Sequence, residues 1–134
     1  MRSFIFLIAL MASAICVADC DTTRPAKTFT ALERLDQAGE ARLHAALKRL
    51  ATHEGWSQSE WEAYTNALAD DPEAVANEDR RSSLMAELFA LMGRTPIDCA
   101  RIDQLEQEIL ELEQRQWDEA VHKVERRLGR AGAT

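Results

Sequence analysis

The side chains best suited to binding or chemistry in this sequence are concentrated between residues 52 and 79. This segment holds eight Asp or Glu residues, no Lys or Arg, and three large aromatic residues. Such a surface would dock a basic partner, with aromatic side chains as anchors among the charges. The alternative is a solvated helix face whose aromatic residues belong to the core. The predicted partner-binding residues of this segment are Trp56, Glu60, Trp61, Glu62, Tyr64, Asp70 and Asp71.

Two carboxylate–histidine pairs are the other arrangement that resembles a chemical site. Glu40 and His44 lie one helical turn apart, as do Asp118 and His122, so each pair would supply half of a metal site. No second pair completes either site, and ordinary pairing on a helix surface accounts for both. The sequence also lacks a glycine-rich phosphate loop, a Gly-x-Ser-x-Gly nucleophile motif and a Cys-x-x-Cys redox pair. We therefore expect no enzymatic activity, no metal and no cofactor.

The first 18 residues have the pattern of a cleaved secretory signal peptide. A positive charge precedes an apolar run from Phe4 to Ile15, and small residues lead to Ala18, after which we predict cleavage. A membrane anchor is one alternative, but it needs about 20 apolar residues. A lipidated Cys20 is another, although Asp19 stands where a small neutral residue is usual. We expect export to the periplasm or the extracellular space, with membrane contact only if Cys20 carries a lipid.

Charge and cysteine content limit the partners and the compartment. The 134 residues include 16 Lys or Arg and 23 Asp or Glu, which gives a net charge of −7. This acidity disfavours nucleic acid and anionic membranes, because both bind basic surfaces. Loss of the signal peptide removes Cys16 and leaves Cys20 and Cys99 as the only intramolecular pair in an oxidising compartment. We predict a Cys20–Cys99 disulfide that ties an N-terminal arm to the rest of the protein.

Helical periodicity and capping signals predict the elements that position these residues. Residues 19–29 lack periodicity and contain Pro25, which predicts an extended arm. We expect the first helix to begin at Thr30, in a Thr-Ala-Leu-Glu capping box, and to end at Gly55. Ser57 opens a second capping box, and a short amphipathic helix follows it.

The second half of the chain contains signals for two more helices. Asn77 resembles the cap of a third helix that ends at Gly93. Pro96 opens a last helix that runs without a break to Leu128, and residues 129–134 form a tail that should fray. At 1.5 Å per residue the last helix would be about 50 Å long, roughly twice the length of its neighbours.

The last predicted helix carries an apolar stripe beyond the predicted ends of the shorter helices. An apolar stripe is unfavourable in water, so it would need cover from the N-terminal arm or from a second copy of the chain. A homodimer is therefore a further expectation. The predicted contact residues are Trp117, Val121 and Leu128.

Gly-Trp at residues 55–56 follows the first predicted helix, and Thr-Pro-x-x-Cys at residues 95–99 precedes the last one. These two short segments resemble the PulS/OutS-type pilotins, which are small four-helix disulfide proteins that escort outer-membrane secretins. The resemblance implies an assembly role in the envelope. In that family the first cysteine follows the first helix and a lipidation signal is usual. Here Cys20 precedes the helix and no such signal fits.

Together these features predict an all-α protein. We expect a small four-helix bundle with a long C-terminal helix and a disulfide-tied N-terminal arm, in a single domain of residues 19–134. The expected function is binding to another protein, as an assembly chaperone or pilotin-like accessory, or as an immunity or inhibitor protein. The alternatives are a structural or oligomeric envelope module and a small metal- or stress-binding periplasmic protein.

Overall fold

Four α-helices account for nearly all of the described chain. The computed structural model describes residues 24–94 and 96–132, and in these residues it contains no β-strand. The all-α prediction is confirmed. No helix in these two ranges is both long and apolar enough to cross a membrane. The predicted signal peptide lies outside the described residues. The helices are α1 (Arg24–Glu54), α2 (Gln58–Ala69), α3 (Pro72–Met92) and α4 (Cys99–Gly132).

The two long helices, α1 and α4, run parallel to each other. The ion pairs between them follow the same order along both helices. Arg42 pairs with Asp118 at 2.9 Å, and later in both helices Glu54 pairs with Arg127 at 2.8 Å. With 31 and 34 residues, α1 and α4 are about 46 and 51 Å long at a rise of 1.5 Å per residue. The expected twofold difference in length is therefore wrong for α1, which accompanies α4 along most of its length.

The shorter helices, α2 and α3, pack in succession along this parallel pair. α3 is antiparallel to α4, because Glu87 near the end of α3 pairs with Arg101 near the start of α4 at 2.7 Å. The apolar interior divides into two clusters. The lower core, which includes the buried side of α3, consists of Leu32, Leu84, Leu88, Leu91, Ile102, Leu105, Ile109 and Leu112. The upper core, which α2 covers, consists of Ala46, Leu47, Leu50 and Val124, with Leu43, Trp56, Trp61, Tyr64, Leu68 and Leu128 packed against it.

α1 begins at Arg24, so the predicted extended arm is wrong from that residue on. Pro25 lies in the first turn, where a backbone N–H has no helical acceptor and proline is well tolerated. Thr28 was also expected in the arm. It is buried instead, and its hydroxyl donates a hydrogen bond to the carboxylate of Glu106 on α4. The rest of the predicted arm, including Cys20, lies outside the described residues.

A glycine turn joins α1 to α2 as predicted. Gly55 has a φ of +67°, a region that favours glycine, and the N–H of Trp56 donates to the carbonyl of Ala51 at 3.0 Å. Ser57 then caps α2. Its hydroxyl accepts from the N–H of Glu60 at 3.2 Å, and the Glu60 carboxylate accepts from the N–H of Ser57 at 2.7 Å. The predicted capping box is therefore confirmed.

α3 begins six residues earlier than predicted. Asp71, and not Asn77, caps it, because the Asp71 carboxylate accepts from the N–H of Ala74 at 3.2 Å. Pro72 occupies the first helical position, where its fixed φ favours the helix.

α4 begins later and ends later than predicted. Asp98 accepts from the N–H of Arg101 at 3.1 Å and precedes the first helical residue, so Pro96 lies outside the helix. At the other end α4 passes through Gly129 and reaches Gly132, which corrects the prediction of a frayed tail for these residues. A single glycine in a helix costs only about 1 kcal/mol, which is not enough to end a long, packed helix.

The second half of α4 is covered within the chain. Val121 and Val124 are 5% and 0% exposed, and Leu128 is half-buried against the upper core. α1 supplies much of this cover because it runs parallel to α4, so its C-terminal half packs along the second half of α4. Trp117 lies directly against Gly39 of α1. The premise behind the expected homodimer, an uncovered apolar stripe, is therefore wrong.

Candidate functional site

The acidic segment, residues 54–79, is built around a surface helix. It comprises the end of α1, all of α2 and the first turns of α3. None of the α2 residues is fully buried. The apolar side of α2, formed by Trp61, Tyr64 and Leu68, closes the upper core from outside, while its polar side faces solvent. The segment therefore presents its carboxylates on a helix that the bundle contacts on one side only.

Basic residues of α4 neutralise two carboxylates of the acidic segment. Arg127 donates two hydrogen bonds to Glu54, at 3.1 and 2.8 Å, and Lys123 donates one to Asp71 at 3.0 Å. The hydrogen bond from Arg127 lowers the pKa of Glu54, and the one from Lys123 lowers the pKa of Asp71. These two carboxylates hold α4 against the acidic segment, so Asp71 serves the fold rather than an open binding surface.

The carboxylates between Glu54 and Asp71, and just beyond Asp71, are exposed. Within the described residues, Glu62, Asp70 and Glu73 form no ion pair with any lysine, arginine or histidine. The Glu62 carboxylate accepts a hydrogen bond from the neutral side chain of Gln58, at 3.0 Å. A concentration of exposed carboxylates along α2 and at the start of α3 creates a negative potential over this surface.

The predicted aromatic anchors contribute to the fold. The rings of Trp56 and Tyr64 are 4.8 Å apart, and the guanidinium of Arg127 lies 5.3 and 4.9 Å from their centroids. Trp61 meets the ring of His44 edge-on at 5.8 Å. All three aromatic residues are half-buried against the upper core. They hold α2 in place and leave the carboxylates as the accessible part of its surface.

The structure separates the predicted partner-binding residues into two groups. Those of the acidic segment lie on or beside α2 and are exposed or half-buried. The others, Trp117, Val121 and Leu128, are half-buried or buried on the side of α4 that packs against α1 and α2. The two groups do not form one continuous open surface.

A partly buried carboxyl cluster, which the sequence did not predict, lies where α1, α3 and α4 meet. It consists of Asp36, Arg81, Glu113 and Trp117. Nε of Arg81 lies 3.0 Å from Oε2 of Glu113, and its Nη2 lies 3.9 Å from Oδ2 of Asp36. Nε1 of Trp117 donates to Oδ1 of Asp36 at 3.0 Å, and the side chains of Asp36 and Glu113 are hydrogen-bonded to each other. Only 5% of the Glu113 side chain is exposed.

The two carboxyl groups of this cluster differ in proton affinity. Burial, the hydrogen bond with Asp36 and the charge of Asp36 raise the pKa of Glu113 from 4.5 to about 7, although Arg81 opposes the shift. Burial also raises the pKa of Asp36. The hydrogen bonds with Glu113 and Trp117 and the charge of Arg81 outweigh it, so the pKa of Asp36 is lowered overall. Below a pH of about 7 the pair should therefore hold one proton, on Glu113, which donates to the Asp36 carboxylate.

A signal for this cluster is present in the sequence. Glu106 and Glu113 are seven residues apart and lie on the same face of α4 as Ile109, and both are buried, at 8% and 4% exposure. Charged residues within an apolar stripe indicate buried partners, because an unpaired buried charge is strongly unfavourable. The identity of those partners depends on how the helices pack, so spacing alone does not reveal it.

Neither histidine pair belongs to a metal site in the described part of the chain. These residues include no group of three or more His, Cys, Asp or Glu side chains placed to hold a metal ion. Asp118 pairs instead with Arg42 and also accepts from Gln114 at 3.1 Å. The Cys20–Cys99 disulfide stays a prediction, because Cys20 is not among the described residues.

The sequence and the fold were both compared with known proteins. No protein-family description, no curated protein sequence and no solved structure matches the chain. The pilotin resemblance stays an interpretation of two short segments.

Proposed function

We propose that this chain is an exported protein that binds a basic partner protein through the acidic segment. The observation that carries the proposal is the set of exposed carboxylates, Glu62, Asp70 and Glu73, without a described cation to neutralise them. A surface that mixes charges of both signs is sufficient for solubility. A concentration of one sign instead attracts an oppositely charged partner and speeds its association.

The position of these carboxylates supports the proposal further. α2 covers the upper core with half-buried aromatic residues, and ion pairs from Arg127 and Lys123 fix the chain on either side of it. A partner would therefore meet a preorganised helix rather than a loop that it must first order, which favours affinity. An assembly chaperone, a pilotin-like accessory and an immunity or inhibitor protein all belong to this class of binding protein.

Charge reversal on α2 and at the start of α3 tests the proposal. We would use the triple variant Glu62→Lys, Asp70→Lys and Glu73→Lys, because none of these side chains caps a helix in the structure. Glu60 and Asp71 are avoided, since their caps support α2 and α3. The tagged wild-type protein is used to capture binding proteins from an envelope extract, and the affinity of the captured protein is then measured at several salt concentrations.

A matched variant separates a docking surface from net charge. Glu33→Lys, Glu40→Lys and Glu111→Lys make the same change in charge at exposed carboxylates outside the acidic segment. We expect the captured protein to be basic and to bind this control variant as tightly as the wild type. Its affinity for the triple variant at Glu62, Asp70 and Glu73 should fall by about 100-fold, at about 1 kcal/mol per site. Equal binding to both variants, or binding insensitive to salt, would contradict the proposal.

A further inference from the structure

The carboxyl cluster joins side chains from three helices. Asp36 comes from α1, Arg81 from α3, and Glu113 and Trp117 from α4. A hydrogen bond between two carboxyl groups requires one of them to be protonated, because two carboxylates at that separation repel each other. The contact between α1 and α4 at this level therefore depends on the bound proton.

The other charged groups around the cluster make the ionised form of Glu113 less favourable. α3 brings Glu78 and Asp79 as well as Arg81 to the same groove, while α2 contributes only Ala69 there. Arg81 is already shared, since its Nη1 lies 3.7 Å from Glu78. If Glu113 were ionised, one guanidinium would face at least three carboxylates.

We propose that the Asp36–Glu113 pair is a pH-dependent contact between α1 and α4, closed while Glu113 is protonated and weakened when the pH rises through neutrality. When the proton leaves, Glu113 can no longer donate to Asp36. Asp36 also accepts the indole N–H of Trp117, and the Trp117 ring rests on Gly39 of α1. Loss of the shared proton therefore weakens the contact between α1 and α4 through Trp117 as well as through the carboxyl pair. This inference does not depend on the proposed binding function.

The titration of Glu113 is the direct test. In a protein with ¹³C-labelled carboxyl groups, NMR should show one glutamate whose titration midpoint lies near pH 7, which matches the raised pKa of about 7 for Glu113. Glu113→Gln should remove that resonance. Asp36→Asn should move the midpoint down, because the negative neighbour is gone while an acceptor for Trp117 remains. A Glu113 midpoint below 5 in the wild type would overturn the proposal.

Stability against pH tests the consequence for the fold. A carboxyl group whose pKa is raised in the folded state loses stability between its unfolded and folded pKa values, here from about 4.5 to about 7. The equilibrium constant for unfolding should rise by about 30- to 300-fold across that window in the wild type. Asp36, Glu54 and Asp71 do not contribute to this window, because their lowered pKa values affect stability only at more acidic pH.

Two variants isolate the effect of Glu113. Glu113→Gln is neutral at every pH, so it should match the wild type near pH 5 and be more stable near pH 8. Glu111→Gln, an exposed position on the same helix, should keep the wild-type pH dependence. The pH-dependent contact would be excluded if the stability of Glu113→Gln varied with pH as in the wild type. It would also be excluded if the Trp117 indole resonance of this variant still shifted with pH as in the wild type.

Discussion

Replacing Gly39 with alanine should destabilise the protein, although alanine is the better helix former. An added Cβ would lie 2.2 Å from Cγ and 2.3 Å from Cδ2 of Trp117, far inside van der Waals contact. The ring cannot simply move aside, because its N–H is hydrogen-bonded to Asp36 at 3.0 Å. The glycine therefore allows α1 to approach the indole ring directly.

The magnitude follows from three terms. Overpacking of this kind costs about 1–3 kcal/mol. Loss of the hydrogen bond between Trp117 and Asp36 adds about 1 kcal/mol. Replacing glycine by alanine inside a helix stabilises by about 1 kcal/mol. We therefore expect Gly39→Ala to lower the free energy of unfolding by about 1–3 kcal/mol, and Tm by about 4–12 °C.

Urea unfolding followed by circular dichroism measures this free energy. Gly129→Ala is the control, because its added Cβ meets no atom within 4 Å and should be neutral or slightly stabilising. In a Trp117→Ala background, Gly39→Ala should also become stabilising. If Gly39→Ala in the wild-type background were as stable as Gly129→Ala, the close packing of Trp117 on α1 would be refuted.

Three further changes test other parts of the fold. Ser57→Ala removes the hydroxyl that accepts from Glu60 and should lower the free energy of unfolding by about 1 kcal/mol in urea titrations, with no loss if the cap is idle. Leu88→Ala opens a cavity at a 0% exposed position and should cost about 2–5 kcal/mol, and a smaller loss would argue against a closed lower core. Reduction of the predicted Cys20–Cys99 disulfide should cost about 2–4 kcal/mol, and an unchanged unfolding midpoint in Cys99→Ser would show that no bridge stabilises the protein.

Local rules account for the helix faces and for one complete helix junction. Ile102, Leu105 and Ile109 are buried in steps of three and four residues, as the period of a helix requires. Gly55 and Ser57 end α1 and start α2 through backbone and side-chain hydrogen bonds among near neighbours. These features depend on residues close in sequence, and for that reason they could be predicted.

The wrong predictions arose where one residue type has two structural meanings. Pro25 can begin a helix or mark an extended segment, and the structure places it in the first turn of α1. Asn77 and Asp71 both resemble caps, and the hydrogen bond to Ala74 selects Asp71. The parallel packing of α1 along α4, which no local signal predicts, then covers the stripe that was expected to stay exposed.

The parallel arrangement of α1 and α4 has a consequence for the order of folding. Arg42 and Asp118 are 76 residues apart in the chain, whereas Glu87 and Arg101 are separated by only 14. Closing the longer loop costs about 1.5 kcal/mol more entropy, so α3 and α4 should pair first and α1 should dock onto them last.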